Sequence, residues 1–522
     1  MTKTTTLRGA SALARAVKEA YAQGSADYSL EPMSLEGSDG KPVGSIAPGD
    51  AVIFCCRRGE REIELTDAFT DPSFTGFERK KLDPLDFVIL TMYSDKYTDI
   101  PIAFAPSKVA GTLAQVLAEA GKSQFHCAES EKFAHVTFFF NGGNQQPFAQ
   151  EEDLRIPSPK GVPFDTVPAL SLPQVADKVV EGLDKGYDFI VTNFANGDVI
   201  GHTSNDAAKV ACAGIVDTHL GRVIEEAKQK GYAVFVTADH GNIEVLHTPE
   251  GTPHVAHTSN LVAFAAVAQG AAPIANEGKL GDVAPTVLAA MGIAQPAEML
   301  GAPLFRFEER QKVLLIILDG WGLGAQDAGN PIYTGVTPNW DALLATAPWV
   351  KLAASGEAVG LAAGKAGNSE AGHINLGSGR VVLQDDVRLD AAMKDGSFAE
   401  NPVFLASIRG AKERGAALHL LALLTKKSSH GSIDYPLALL DMAKANGLND
   451  VFVHIIFDGR STEPGSAPAL LEELGETLDE KGIGYIVSGV GRGIALDRDQ
   501  NWAKVQRAYE SLVAGAGTRY RE

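Results

Sequence analysis

Three stretches of the chain put aspartate or histidine where an apolar run stops. "KVLLIILDGWG" carries six consecutive apolar residues straight into Asp319. "AVFVTADHGN" ends on Asp239 and His240, and "DFIVTNFANGDVIGH" on Asp198 with His202 four residues further on. A carboxylate at the end of so apolar a segment is costly unless a cation offsets it. Six of the twelve histidines fall between His202 and His257, among them His254 and His257 of "PHVAHT". A lone histidine of this kind is ordinarily a hydrogen-bonded structural residue. The clustering with aspartate supplies more ligand-type groups than structure requires, and a mixed carboxylate and imidazole set suits Mn²⁺ or Zn²⁺ better than Ca²⁺. Two ions account for the number of candidates better than one.

A second set is cationic. Arg460, Arg492 and the pair Arg57-Arg58 each follow an apolar run, and Lys426-Lys427 with His430 follow "LHLLALLT". Any single arginine is best read as a solvated surface group. Arg492 and Arg498 in "GVGRGIALDRD" and Arg460 in "FDGR" sit where a strand should end, however, and a guanidinium there recognises phosphate or carboxylate bidentately. Lys132 in "SEKFAHVTFFFNGG" stands just before an apolar run read as a strand, either as part of this set or as a surface charge.

"AGNSEAGH" offers a nucleophile. Ser369 is placed to open a helix, where free N–H groups and the helix dipole favour an anion and a more acidic hydroxyl. A serine followed by helix formers is equally the commonest capping arrangement. The pattern is not G-x-S-x-G, which disfavours a hydrolase nucleophile elbow. "GLAAGKAG" is short of a phosphate-binding P-loop and lacks its Ser/Thr.

The elements that must hold these groups are short apolar runs alternating with amphipathic stretches. "AVIFCC", "DFVILTM", "HVTFFF", "DFIVTNF", "AVFVTAD", "VLLIILD", "LHLLALL", "DVFVHIIFD" and "YIVSGV" read as buried strands. "SKVAGTLAQVLAEAG" and "YPLALLDMAKANG" read as helices closed by glycine. The pattern defines an α/β protein with mainly parallel sheets flanked by helices, in which ligands bind beyond the carboxyl ends of the strands. At 522 residues there is room for two or more domains. A formal charge of −19 argues against a nucleic-acid partner. Four cysteines without disulfide-like spacing, and no membrane-length apolar run or signal peptide, place the protein in the cytoplasm with no membrane partner.

The motifs "LDGWG", "GNSEAGH", "GDAVIF", "SEKFAHVTFFFNGG", "NFANGDVIGHT", "TADHGN" and "AHTSN" together resemble those of the cofactor-independent phosphoglycerate mutases of the alkaline phosphatase superfamily. The likeness covers nearly the whole chain, but the order differs. In that family "LDGWG" lies near the start and "AHT" near the end, so the resemblance implies a circularly permuted chain. It implies a metal-binding phosphatase-like domain at about 107–383 and a discontinuous substrate domain at 384–522 plus 1–106.

The resemblance also implies roles. Asp198, His202 and His257 would hold one Mn²⁺, and Asp319, Asp239, His240 and the Ser369 oxygen a second. Ser369 would carry the phosphoryl group between 3-phosphoglycerate and 2-phosphoglycerate, an isomerase step of glycolysis and gluconeogenesis. Lys132, His430, Arg460, Arg492, Arg498, Arg57 and Arg61 would grip the small-molecule substrate, with Lys132 and Arg460 also assisting the chemistry, in a monomer. Departures lie in the substrate domain: "TKKSSHGS" stands for the usual "SDGGVHSH", "CCRRGERE" for "NFRADRAR", and Ser461 for an aspartate in "DGRD". They leave a metal-dependent phosphomonoesterase, or a mutase of another small phosphate ester, as the alternative.

Overall fold

The apolar run ahead of Asp319 forms the strand Lys312–Leu318, buried at every position but its first. It pairs in parallel with Phe189–Phe194 on one side and Tyr232–Thr237 on the other. A strand buried on both faces has no use for polar alternation, which is why the sequence there is a continuous apolar run. The register sets Leu318 opposite Phe194 and Ile317 opposite Thr237, so the three chains leave the sheet side by side. Asp319, Asp198 and Asp239 all belong to these exits.

The computed structural model describes residues 7–57, 61–94, 96–105, 109–426, 428 and 430–522; Arg58 and Lys427, both singled out from the sequence, lie outside them. The chain divides into two compact units, Met1–Pro106 with Arg388–Glu522, and Ser107–Val387. Each has its own eight-stranded sheet among the described residues. In the Ser107–Val387 unit the strands lie in the order Glu277–Lys279, Trp349–Ala353, Val262–Val267, Tyr232–Thr237, Lys312–Leu318, Phe189–Phe194, Gln124–Glu129 and Glu151–Ile156. Pairing is parallel except where Val262–Val267 meets its two neighbours. Helices Leu172–Lys185 and Asp206–Gln229 bury apolar faces against the sheet.

In the other unit Leu418–Leu424 is central, parallel to Val451–Phe457 and to Ala51–Phe54. Tyr485–Gly491 and Asp86–Thr91 extend the sheet in parallel. At one edge Met33–Leu35 pairs in parallel with Thr518–Tyr520, so segments from opposite ends of the sequence share a sheet. No helix among the described residues is long and apolar enough to cross a membrane. All four cysteines are buried and unpaired.

One expected strand is not a strand. "HVTFFF" forms a short π-helical turn, His135–Phe139, that packs against the helix Ser369–Ser378. A short run of β-branched and aromatic residues cannot be told from a buried helical turn by periodicity alone. The strand of this region is instead "QFHCAE", Gln124–Glu129, where the polar residues Gln124, His126 and Glu129 disguise a fully buried element. Lys132 therefore follows a strand rather than preceding one, which moves it to the carboxyl end of the sheet.

Candidate active site

The turn after Lys312–Leu318 is built on glycine. Gly320 has φ +71°, and a Cβ there would stand 2.7 Å from the backbone nitrogen of Asp198, so only glycine lets the Asp319 and Asp198 loops close on each other. Gly372 serves the third exit in the same way, since a Cβ on it would meet the Asp239 Cβ at 2.7 Å. Asp239, Asp319 and His240 are fully buried, and Asp198, Ser369 and Lys132 nearly so.

Ser369 occupies the first position of the helix Ser369–Ser378. It is not the cap. Asn368 caps the helix, its side chain accepting from the Ala371 N–H at 2.9 Å, which leaves the serine hydroxyl free for other partners. Ser369 Oγ lies 2.7 Å from Lys132 Nζ, 2.9 Å from His240 Nε2 and 3.2 Å from Asp319 Oδ1. Lys132 Nζ also donates to Asp198 Oδ2 and Asp319 Oδ1, each at 2.7 Å.

On the other side of Asp198, His202 Nε2 and His257 Nε2 approach its Oδ1 at 3.2 and 3.1 Å and each other at 3.0 Å. His202 Nδ1 donates to the Val255 carbonyl and His257 Nδ1 to the Gly367 carbonyl, both at 2.8 Å. Those carbonyls fix the tautomer of each neutral ring and turn both Nε2 lone pairs toward one point, the arrangement a metal ligand needs.

The electrostatics agree with the geometry. Burial works against the Lys132 ammonium, but the carboxylates of Asp319, Asp198 and Asp239 outweigh it and hold its pKa above the ordinary lysine value. Burial likewise opposes ionisation of Asp198; Lys132 and the hydrogen bonds from His202 and His257 hold it well below the usual range. Asp239 is also held low, His240 and His373 overcoming its burial, whereas burial and the neighbouring Asp239 push Asp319 up. Asp239 Oδ2 is buried with no hydrogen-bond partner among the described residues. Two ligand-type groups overlap here, Asp198, His240 and His257, and Asp239, His240 and Asp319. An unsatisfied buried carboxylate oxygen and converging Nε2 atoms fit divalent cations and have no other evident use.

Sequence reasoning passed over His373, Asn193 and Asn242. Asn193 donates to Asp319 Oδ2 at 2.6 Å, and Asn242 to Asp198 Oδ1 at 2.9 Å. His373 Nδ1 lies 2.8 Å from the Ser369 carbonyl and 3.3 Å from Asp239 Oδ2. Its position, four residues after Ser369 and so on the same helix face, was the available signal. His254 stands apart from the cluster, and its carbonyl accepts from Lys209 Nζ at 2.6 Å.

The cationic residues sit past the strand ends of the other unit. Arg492, buried, donates to Asp458 Oδ1 at 2.5 Å. Arg57 is also buried, with Nη1 on Tyr435 Oη at 2.6 Å and Nη2 on the Ser428 carbonyl at 2.7 Å. His430 Nδ1 lies 3.3 Å from Glu62 Oε1, a fully buried carboxylate, and Arg61 donates to the Leu496 carbonyl at 3.1 Å. Arg460 and Arg498 are exposed. The backbone N–H of Ser461 donates to Asp458 Oδ2 at 3.1 Å. Glu62 and Asp458, the acidic partners of this set, were not singled out in the sequence.

A fold that gathers aspartate and histidine beyond the ends of parallel strands around a serine belongs with metal-dependent hydrolases and transferases. The family model described as "Metalloenzyme superfamily" matches residues 9–295, more than half of the chain, and the protein belongs to that superfamily. A second model, "BPG-independent PGAM N-terminus", matches residues 389–522. The 2,3-bisphosphoglycerate-independent phosphoglycerate mutase of Moorella thermoacetica is 45% identical over 300 residues, 56% of this chain and 57% of the relative. The protein of the same name from Wolinella succinogenes is 44% identical over 289 residues, covering 55% and 57%. The chain thus spans little more than half the length of the curated relatives it matches. A solved structure of Leishmania mexicana phosphoglycerate mutase, at low cobalt concentration, aligns with 26% identity and a TM-score of 0.42, over 52% of this chain and 53% of that one.

Proposed function

We propose that the protein is a metal-dependent, bisphosphoglycerate-independent phosphoglycerate mutase working through phosphoserine at Ser369. The observation that carries the reading is the surroundings of Ser369 Oγ: a helix N-terminus, a buried ammonium at 2.7 Å and metal-ligand side chains at 2.9 and 3.2 Å. Asp198, His202 and His257 would hold one divalent ion and Asp319, Asp239, His240 and Ser369 the other, with Mn²⁺ the best match to the donor set. When bound, such ions lower the pKa of a coordinated hydroxyl and offset the charge of a transferring phosphoryl group.

The chain's own residues supply the rest. Ser369 Oγ forms a bond to phosphorus as the bond from phosphorus to the C3 oxygen of 3-phosphoglycerate breaks. The retained glycerate then presents its C2 oxygen to the same phosphorus, and the Ser369 bond breaks in turn, so no phosphate is released. Lys132, kept charged by its carboxylate neighbours, stands where it can balance the phosphoryl charge through both steps. His430, Arg460, Arg492, Arg498, Arg57 and Arg61 are the groups we assign to the phosphate and carboxylate of the substrate. Arg57 and Arg492 do so from within protein ion pairs and hydrogen bonds, which makes them holders of the binding loops first. The same reading places the enzyme in the cytoplasm as a monomer.

The order of the two family matches, with the "N-terminus" model on residues 389–522 and the metalloenzyme model ahead of it, supports a circularly permuted chain. The division into Ser107–Val387 and the remainder of the chain supports a metal-bearing domain at about 107–383 and a substrate domain from 384–522 plus 1–106. One assay tests the function: 3-phosphoglycerate is supplied with Mn²⁺, and 2-phosphoglycerate and free phosphate are followed together. Formation of 2-phosphoglycerate without phosphate is the expected result; phosphate without 2-phosphoglycerate would establish the phosphomonoesterase that Ser461, in place of an aspartate, leaves open.

A further inference from the structure

Away from the Ser369 cluster, toward the start of the strands rather than past their ends, a second group of ligand-type side chains is buried. Gln124–Glu129 and Glu151–Ile156 pair in parallel, with Gln124 opposite Glu151 and His126 opposite Asp153. Paired and alternate residues of a sheet share a face, so all four side chains stand together. An imidazole nitrogen of His126 and one oxygen each from Glu151 and Asp153 lie within 4.8 Å of one another. The side chains of His126 and Glu151 are wholly inaccessible. The rings of Phe140 and Phe189 flank His126 edge-on, with centroids at 5.8 and 6.2 Å.

The polar atoms of this group satisfy one another only in part: the Glu151 and Asp153 carboxyls lie within hydrogen-bond reach of each other, and His126 Nδ1 is 3.4 Å from Glu151 Oε1. His126 Nδ1 donates to the Val136 carbonyl at 2.7 Å, so its Nε2 is a bare lone pair, and that atom is buried without a partner. Asn141 gives its amide N–H to Glu151 Oε1 at 2.7 Å and Phe148 its backbone N–H to Glu151 Oε2 at 2.8 Å. Asp153 Oδ1, Asn141 Oδ1 and Gln124 Oε1 are likewise buried with no hydrogen-bond partner among the described residues. Every unsatisfied atom is an acceptor. A proton shared between the two carboxylates would satisfy one of them, whereas a cation satisfies several at once.

We propose that His126, Glu151 and Asp153 form a further divalent-cation site, separate from the Ser369 cluster, taking an ion of the Mn²⁺ or Zn²⁺ class that one imidazole and two carboxylates suit. Asp153, at the partly exposed side of the group, gives the ion its way in. Because Glu151 is tied to Asn141 and Phe148, the ion pins the segment between them to the edge strand. This site does not depend on the reaction assigned to Ser369.

The test uses the full chain carrying Asp198→Asn and Asp319→Asn, which removes carboxylates central to the Ser369 cluster. Metal-stripped protein is titrated with MnCl₂ and free Mn²⁺ is read by electron paramagnetic resonance. One ion bound per chain is expected, with affinity falling at least tenfold when Asp153→Asn is added. No ion bound, or equal affinity with and without Asp153→Asn, overturns the proposal. Should the triple variant fail to fold, hydrogen exchange in the double variant decides. Mn²⁺ should slow exchange at least tenfold across residues 141–156, and unchanged exchange there overturns the site.

Discussion

Past the strand ends of the Ser107–Val387 unit, three aspartates crowd around one ammonium, Lys132, and a set of histidines within a few ångströms. Past the strand ends of the other unit, the buried guanidiniums already meet protein acceptors, Arg492 on Asp458 and Arg57 on Tyr435 and Ser428, and the His430 ring faces Glu62. The first arrangement gathers carboxylates and imidazoles in the way that bound cations would complete. The second ties its guanidiniums to protein acceptors that hold its loops, although Arg57 Nε, Arg492 Nε and Glu62 Oε2 stay buried without a hydrogen-bond partner among the described residues. Substitutions should therefore separate cleanly, with chemistry lost in one region and architecture lost in the other.

The largest effect expected is at Ser369. Ser369→Ala should lower 2-phosphoglycerate formation by on the order of 10⁴-fold or more, since no second nucleophile stands at that helix start. Its melting temperature should match the parent, because Asn368 and not Ser369 caps the helix. Phosphate trapped on any other residue of the parent enzyme would refute the role.

Lys132→Met should cost about 100-fold in kcat, in the range for removing one preorganised charge from a phosphoryl-transfer site. The matching change in the other unit is Arg57→Ala. It leaves Tyr435 Oη and the Ser428 carbonyl without their buried donor and should destabilise that unit by about 3 kcal/mol, read by denaturant unfolding. Equal losses of kcat with no loss of stability in both variants would erase the contrast.

Chelation sharpens it further. A ligand bound at 100 times its Kd stabilises by about 2.7 kcal/mol, so stripping metal should lower the unfolding midpoint of the Ser107–Val387 unit and leave the other unit's unchanged. Hydrogen exchange resolved by unit reads the difference.

The smallest effect concerns protons. His419 Nδ1 lies 3.0 Å from His454 Nε2, His454 Nδ1 2.7 Å from Ser488 Oγ, and His419 Nε2 3.1 Å from Asp50 Oδ2, a buried chain across three strands. Burial and the neighbouring His419 hold His454 well below the usual histidine value. The unfolded chain therefore binds the extra proton below about pH 6.5, and stability of this unit falls as pH drops through that value, by at most about 1.4 kcal/mol per pH unit for the one group. His454→Gln should flatten the slope between pH 7 and 5, and an unchanged slope would show that other groups set it.

Much of the metal-type cluster is legible in the sequence because aspartate after a six-residue apolar run is a conspicuous combination, and strand exits in a parallel sheet are where ligands bind. Asn193 and Asn242 escaped because neutral amides look the same whether they orient a carboxylate or face solvent. The misreading of "HVTFFF" has a different origin, since its apolar residues are shared between two elements' packing and show neither the strand nor the helix period. In the other unit the cations were visible but their partners were not. Glu62 and Asp458 declare themselves only through burial and distance, which local spacing does not encode.

The central position of Lys312–Leu318 bears on how the molecule is made. Its two sheet neighbours, Phe189–Phe194 and Tyr232–Thr237, are synthesised well before it, and each must wait with a long unpaired edge until the strand between them arrives. Pairings this distant in sequence are slow to close, and exposed parallel edges are where nascent chains associate wrongly. The strand that carries Asp319 is thus the late keystone of its sheet, and translation stalled ahead of residue 312 should yield a nascent chain that chaperones retain and that releases only when the strand is supplied.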